Sequence, residues 1–525
     1  MKQQLFHASG IPGRLSHRVF RWLMLPMVAV APLLSSGCAT TTPGEWWRNG
    51  FKVGPEHTQP PAPLADEWIE ANDPRTQGQP RDESWWQAFQ DPVLDGLITR
   101  AYANNPNLRA VGTRVLQARA QQAIAVGNMF PQSQSVTGMY PQGVLAGAPS
   151  HLDLTAFNLT WEADFWGKYR RQIESSNGAL DASVENYDDA LVTLLADVAI
   201  NYVQYRVAQQ QIKIARSNLE SQTRLVSIVE EQNRTGTATA VDVDQLRTLM
   251  EQTRSTIPAL RITQGQANDR LCILLGEPPR DLEPELGAGP EPGNLPMPSV
   301  PFSVAASIPA ELLRRRPDIR SAERQVAAQS AQIGVAEAEL YPSLSVGALL
   351  GYADLKLGSL LQPDGHVAVV QPQFTWKILN YGRLINNVHL QEARTFELVA
   401  AYQARVLQAA QEVQTALRGF MRSQEQAADL TRSVSAAVDA VKVGGQQFAE
   451  LKADTNRLFI LENAQLQTQN NLAVAQGNIA LNLINVYRAL GGGWELRLQA
   501  ENVAAAPAPA GAEPVAEPLE PAPEH

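Results

Sequence analysis

Two stretches of this chain hold an apolar residue at every third or fourth position for much longer than a compact domain requires. In the first, Leu191, Leu195, Val198, Tyr202 and Tyr205 are spaced 4-3-4-3, and Ile212, Leu219 and Val226 keep the register. In the second, Val399, Tyr402, Val406, Ala409, Val413, Ala416 and Phe420 do the same, continuing through Ala427, Leu430, Val434, Ala437, Val441, Gly444, Phe448 and Leu451. Such heptads predict long helices packed as coiled coils. From Asn177 to Asn233 one helix would run about 85 Å, wider than any compact domain. Each long helix is predicted to stop at a polar turn, Thr235 to Thr239 and Lys452 to Asn456, and a return helix to end at Leu275-Gly276 or Leu490-Gly491. Pro258 lies inside the first return helix and predicts a kink.

Ahead of each long helix the period falls to two. Leu344, Val346, Ala348, Leu350 and Tyr352 alternate with small or polar residues, and Ala368, Val370, Phe374 and Trp376 suit a partner strand. Leu152 and Leu154, then Phe157, Leu159 and Trp161 in the opposite phase, form an earlier pair, with its turn between Pro141 and Pro149. A lone hairpin is marginal in water, so these strands need partners from elsewhere. Two helices come first. One starts at Asp91-Pro92, with Leu94, Leu97, Ile98 and Tyr102 on one face. The other follows Asn104-Asn105-Pro106 and runs to about Met129.

The two halves are copies. Thr160-Trp-Glu-Ala-Asp-Phe-Trp-Gly-Lys168 returns as Thr375-Trp-Lys-Ile-Leu-Asn-Tyr-Gly-Arg383. Trp161 and Trp376, Gly167 and Gly382, and Gly276 and Gly491 all lie 215 residues apart. Phe130-Pro131 matches Tyr341-Pro342, four residues out of step. Three anchors at one spacing indicate a tandem duplication. The predicted organisation is a signal at 1–37, an arm at 38–83, a first repeat at 84–280 and a Pro/Gly-rich linker at 281–310. A second repeat at 311–494 and an Ala/Pro/Glu-rich disordered tail at 495–525 complete it. Strands fall at about 132–163 and 343–377, and tunnel helices at about 168–276 and 383–490.

The net charge of −10 becomes −14 without the four basic residues ahead of Cys38, which argues against a nucleic-acid partner. Residues 1–37 read as an export signal: basic residues, then an apolar run from Trp22 to Leu34 that is too short to span a bilayer. Ser35-Ser36-Gly37-Cys38 resembles the bacterial lipoprotein signal, in which the Cys receives a diacylglycerol and an N-acyl chain. Ser35 stands where Leu is usual, and ordinary signal cleavage nearby is the alternative. Ala39 after the Cys implies sorting to the outer membrane.

The composition gives no enzyme. After the signal, His57, His151, His366, His389 and His525 are scattered without metal-ligand spacing. There is no phosphate loop and no nucleophile elbow. Cys272 sits in an apolar run and reads as a core residue. Asp242, Asp244 and Asp454 cluster beside the helix-helix turns, as solvated turn residues or as functional ones. Arg314, Arg315 and Arg316 read as a solvated, salt-bridged helix entry.

Several motifs together resemble the outer membrane factor (TolC-like) efflux channels, lipoprotein branch. They are Trp85-Trp86 with Asp91-Pro92, Ala118-Arg119-Ala120, Trp161 to Gly167, Leu312-Leu-Arg-Arg-Arg-Pro-Asp318, Ala336 to Pro342 and Ala489-Leu-Gly-Gly-Gly-Trp494. The resemblance implies a mainly α fold with a membrane β-barrel contribution. Three chains of four strands each would share a twelve-stranded barrel, and long antiparallel helices would form a periplasmic tunnel. It implies no enzymatic activity and no cofactor beyond the lipid on Cys38. Its partners would be two further copies, a periplasmic adaptor, an inner-membrane pump driven by protons, and outer membrane lipid.

By the same resemblance the helix turns form the periplasmic tip. Phe459 falls where an apolar residue rings the constriction, or is an interhelix knob. Asn463 falls where an acidic residue is often found, and Asp242, Asp244 and Asp454 line or latch the turns. Trp161, Gly167, Trp376 and Gly382 mark the barrel-to-tunnel joint. The other functions such a chain could serve are a type I protein-secretion conduit on the same fold and an elongated periplasmic coiled-coil adaptor. Cys38→Ala is expected to abolish acylation; fatty-acid labelling equal to wild type would refute the anchor.

Overall fold

The computed structural model describes residues 41–77, 83–139, 142–145, 148–151, 153–287, 297–305, 309–311, 315–354, 366–449 and 454–498. The signal, Cys38, Pro141, Leu152, Leu312 to Arg314, Leu451, Lys452 and the acidic tail lie outside these residues. The chain divides into two units, one drawn from residues up to 58, 123–176 and 327–396, the other from 59–122, 177–326 and 397 onward.

The first unit holds the strands. β1 (Ser133–Met139), β4 (Asp153–Ala163), β5 (Ser343–Asp354) and β6 (His366–Thr375) form one antiparallel sheet in the order β1-β4-β5-β6. β2 (Gln142–Leu145) and β3 (Ala148–His151) pair as the outer end of the first hairpin. The two hairpins meet through β4 and β5, with Phe157 opposite Leu350 and Ala163 opposite Leu344. Gly351 lets the strands close, because a Cβ there would strike Ala156. Both β1 and β6 are edges, and neither buries a side chain: every residue of β1 is exposed, and only Val367 of β6 is partly covered. Val136, Val370 and Phe374 are all exposed. An open edge with apolar side chains is an incomplete sheet.

The second unit is helical. Helix α2 (Pro92–Asn104) starts on the Asp91 carboxylate, which accepts from the Val93 and Leu94 amides, and α3 (Pro106–Gly127) follows. The long helices are α4 (Lys168–Arg234) and α8 (Arg383–Ala449), each of 67 residues. Their return helices α5 (Ala240–Leu274) and α9 (Thr455–Ala489) have 35 residues each. The starts of α8 and α9 lie 215 residues after those of α4 and α5, so the duplication holds to the residue across all four. α5 continues through Pro258. The heptad residues from Leu191 to Tyr205 and from Tyr402 to Phe420 are buried in one core with Trp85, Phe89 and Leu483. Farther along α8, Leu430, Val434, Ala437 and Val441 are only half-buried.

The return helices end alike. Gly276 and Gly491 take left-handed backbone (φ +74 and +77) one residue past the C-cap. The Gly276 amide donates to Ile273 and the Glu277 amide to Cys272; those of Gly491 and Gly492 donate to Arg488 and Tyr487. Both are Schellman caps.

Of the arginine cluster, Arg316 is salt-bridged but not solvated. Arg316 is buried, forks onto both oxygens of Asp318 at 3.0 and 2.8 Å and donates to the Ala489 carbonyl at 2.8 Å. It thus ties the start of α7 (Pro317–Ala338) to an otherwise orphaned carbonyl at the end of α9. The closing Gly-Gly-Gly-Trp packs beside it. A Cβ on Gly493 would strike Leu195, Trp85 stacks on Tyr487 at 5.5 Å, and the Arg320 guanidinium lies 4.4 Å over Trp494.

Gly491→Ala must strain the left-handed residue, by about 1–2 kcal/mol, and press its Cβ onto Arg316. Gly236→Ala has the same sign of φ but open space around its Cβ. Thermal unfolding followed by helical circular dichroism should therefore show a larger fall for Gly491→Ala; equal falls would contradict the packing described.

Candidate functional site

Two features recur in both copies: the joint where a strand becomes a long helix, and the turn where a long helix returns. At each joint a tryptophan staples strand to helix. The Trp161 indole donates to the Met129 carbonyl at 3.2 Å, and Trp376 donates to Leu340 at 3.0 Å. Each acceptor lies two residues past a helix end, beyond α3 and α7 respectively. Gly167 and Gly382 then adopt φ +82 and +78, and their carbonyls accept the first helical bonds, from Arg171 and Asn386. Only glycine takes that backbone at no steric cost.

The joints differ in what covers them. At the first, Asp164 accepts from the Tyr169 and Arg170 amides and pairs with Arg170. The N-terminal arm lies over it. This arm opens with α1 (Pro43–Arg48), capped by a Thr42–Glu45 box. Trp46 packs on Phe165 and Trp166, and the Val53 amide donates to the Trp166 carbonyl. Buried Arg171 donates to the carbonyls of Val53 and Gly54 and pairs with Glu174, which also holds Lys52. The Thr41 amide donates to Glu337 at 3.1 Å. A Cβ on Gly167 would strike Lys52, and one on Gly54 would strike Gly334. The described start of the arm, residues 41–54, is thus fixed here by buried polar contacts. At the second joint Ile378, Leu379 and Tyr381 are bare.

At the turns the carboxylates act first as caps. Thr239 and Asp242 form a capping box that starts α5, and Asp454 caps α9 by accepting from the Arg457 amide at 2.8 Å. Hydrogen bonds from Thr239 hold the Asp242 carboxyl below the ordinary carboxylate range, with a smaller contribution from the Thr455 side chain. Asp244 is exposed and reaches Arg247.

Phe459 is half-buried and packs against an apolar cluster that includes Val229, Leu246, Phe448 and Leu458. Asn463 is exposed. A carboxylate stands one residue earlier, on the buried side of the helix. Glu462 is buried, has no charged partner among the described residues, and burial raises its carboxyl above the ordinary range. Its spacing from Thr455 and Leu458 puts it on the buried stripe of α9, a signal present in the sequence.

Among the described residues no His/Cys/Asp/Glu group could hold a metal, and no helix is long and apolar enough to cross a membrane. The family model "Outer membrane efflux protein" matches residues 97–277 and 308–492. The pyoverdine export outer membrane protein OpmQ of Pseudomonas putida is 31% identical over 433 residues, covering 79% of this chain and 89% of that one. The probable outer membrane lipoprotein SilC of Salmonella typhimurium is 28% identical over 84% of this chain and 95% of its own length. The solved outer-membrane channel OprN superposes with a TM-score of 0.78 at 30% identity, covering 84% of this chain and 99% of that chain. With the family model spanning both copies, this chain belongs to the outer membrane efflux protein family.

Proposed function

We propose that the chain is one of three identical subunits of an outer membrane conduit, passing small molecules from an inner-membrane pump and its periplasmic adaptor. The observation that carries this reading is a sheet with two bare edges whose strands pass, twice per chain, into 67-residue helices. In hydrocarbon every backbone N–H and C=O needs a partner, so β1 and β6 are closed by other copies. The exposed apolar residues of the strands then meet lipid, and Trp161 and Trp376 sit where barrel aromatics meet the interface. Conduction is passive and needs no cofactor.

The Cys38 lipid anchor is supported by the arm. Thr41 is held by Glu337, six residues before β5 begins, so acyl chains on Cys38 would enter the bilayer at the helix-side rim of the sheet. The turns at Thr235 to Thr239 and around Asp454 form the adaptor-facing tip. The apolar cluster around Phe459 holds that tip narrow.

Deleting the gene should raise sensitivity to at least one class of drug, solvent or metal, with recovery on complementation. Loss of a secreted protein with unchanged sensitivity would instead mark a protein-secretion conduit. Phe459→Ala removes most of a side chain wedged between the tip helices. It should raise the conductance of the purified channel in planar bilayers; unchanged conductance would argue against a Phe459 constriction.

A further inference from the structure

The first joint is completed inside the chain by an aromatic contact that the second joint lacks. Trp166 stacks on Tyr341, with centroids 4.5 Å apart and rings 21° from parallel, and its indole donates to the Pro342 carbonyl at 2.8 Å. Tyr341-Pro342 leads into β5, the strand that pairs with β4 just ahead of Trp166. The contact thus seals a strand to its neighbour where the sheet gives way to helix.

Both halves of this contact have counterparts. The residue 215 positions after Trp166 is Tyr381, and the match to Tyr341-Pro342 is Phe130-Pro131, which leads into β1. Within the chain these two cannot meet across paired strands, because β6 pairs only with β5 and β1 only with β4. Both are bare, Tyr381 at 98% exposure and Phe130 at 66%. Tyr381 is also held at φ +52, a left-handed backbone that a bulky residue seldom adopts.

The substitutions between the copies point the same way. Asp164, which caps and pairs at the first joint, becomes Leu379, and Ala163 becomes Ile378; both are largely exposed. The second joint has exchanged a polar cap for apolar surface. The N-terminal arm that covers the first joint occurs once per chain and is already occupied there.

We propose that Tyr381 of one copy packs on Phe130-Pro131 of a second copy, with Ile378 and Leu379 alongside, repeating between chains the contact that Trp166 makes within one. This rests on the reading of the protein as a closed oligomeric barrel, in which β6 of one copy neighbours β1 of the next. The contact locks each intersubunit strand junction at its helix-side end.

The test uses full-length protein in native membranes. Tyr381→Cys and Phe130→Cys are placed on differently tagged copies, co-expressed and treated with a short bifunctional thiol cross-linker. A linked heterodimer carrying both tags is expected, with none when either cysteine is omitted. A trimer without the linked species would overturn the seam, assign the patch to lipid and leave the oligomeric reading intact. A monomeric wild-type protein would overturn both. Because paired cysteines could disturb assembly, Tyr381→Ala and Tyr381→Trp are compared by the temperature at which the wild-type trimer band dissociates. Alanine should lower it and tryptophan, the residue of the first copy, should preserve it; an unchanged midpoint for Tyr381→Ala would also overturn the seam.

Discussion

The structure depends on a requirement of the peptide backbone. A strand in hydrocarbon cannot leave its amides and carbonyls without partners, and among the described residues the main sheet has four strands, too few to close on themselves. Its sheet ends in two bare edges, each flanked by exposed apolar side chains such as Val136 and Val370. The long helices carry the same incompleteness farther on. Their heptad stripe is fully buried near Tyr402 and Phe420 but only half-covered from Leu430 to Val441. A single copy is therefore a fraction of the proposed barrel, which further copies of the chain would complete.

Duplication supplies the parts, and divergence between the copies assigns them. The four long helices have matched in length to the residue, and the Schellman caps at Gly276 and Gly491 are the same motif twice. The joints have not stayed alike. One carries a carboxylate cap, a buried arginine and an arm laid over it, as an internal junction. The other has Leu379 in place of the carboxylate, with Ile378 beside it, as suits the proposed contact with another chain.

Much of this was legible in the chain itself. The 3-4 spacing located the long helices because coiled-coil packing leaves little latitude in where apolar residues stand. The paired glycines marked the joints because left-handed backbone excludes most other residues. What was not legible depended on contacts distant in sequence. Arg316 reads as a solvated charge until the carbonyl of Ala489, 173 residues away, arrives to be capped. The arm reads as irregular because its order comes from Arg171 and Glu337 rather than from its own periodicity. At the tip, Asp242 could have been recognised as the last member of a Thr239 capping box. The spacing of Glu462 from Thr455 and Leu458 places it on the buried stripe, whereas Asn463 departs from the acidic residue often found there in the family.

The central claim is that strands β1 and β6, edges within one chain, are paired in the working protein. Amide hydrogen exchange of the full-length protein in lipid nanodiscs measures this directly, since the barrel lumen is wet and an unpaired edge would exchange from that side. The account predicts that amides of 133–139 and 366–375 are protected to the same degree as those of the inner strands β4 and β5. Rapid exchange confined to the two edge strands would contradict it.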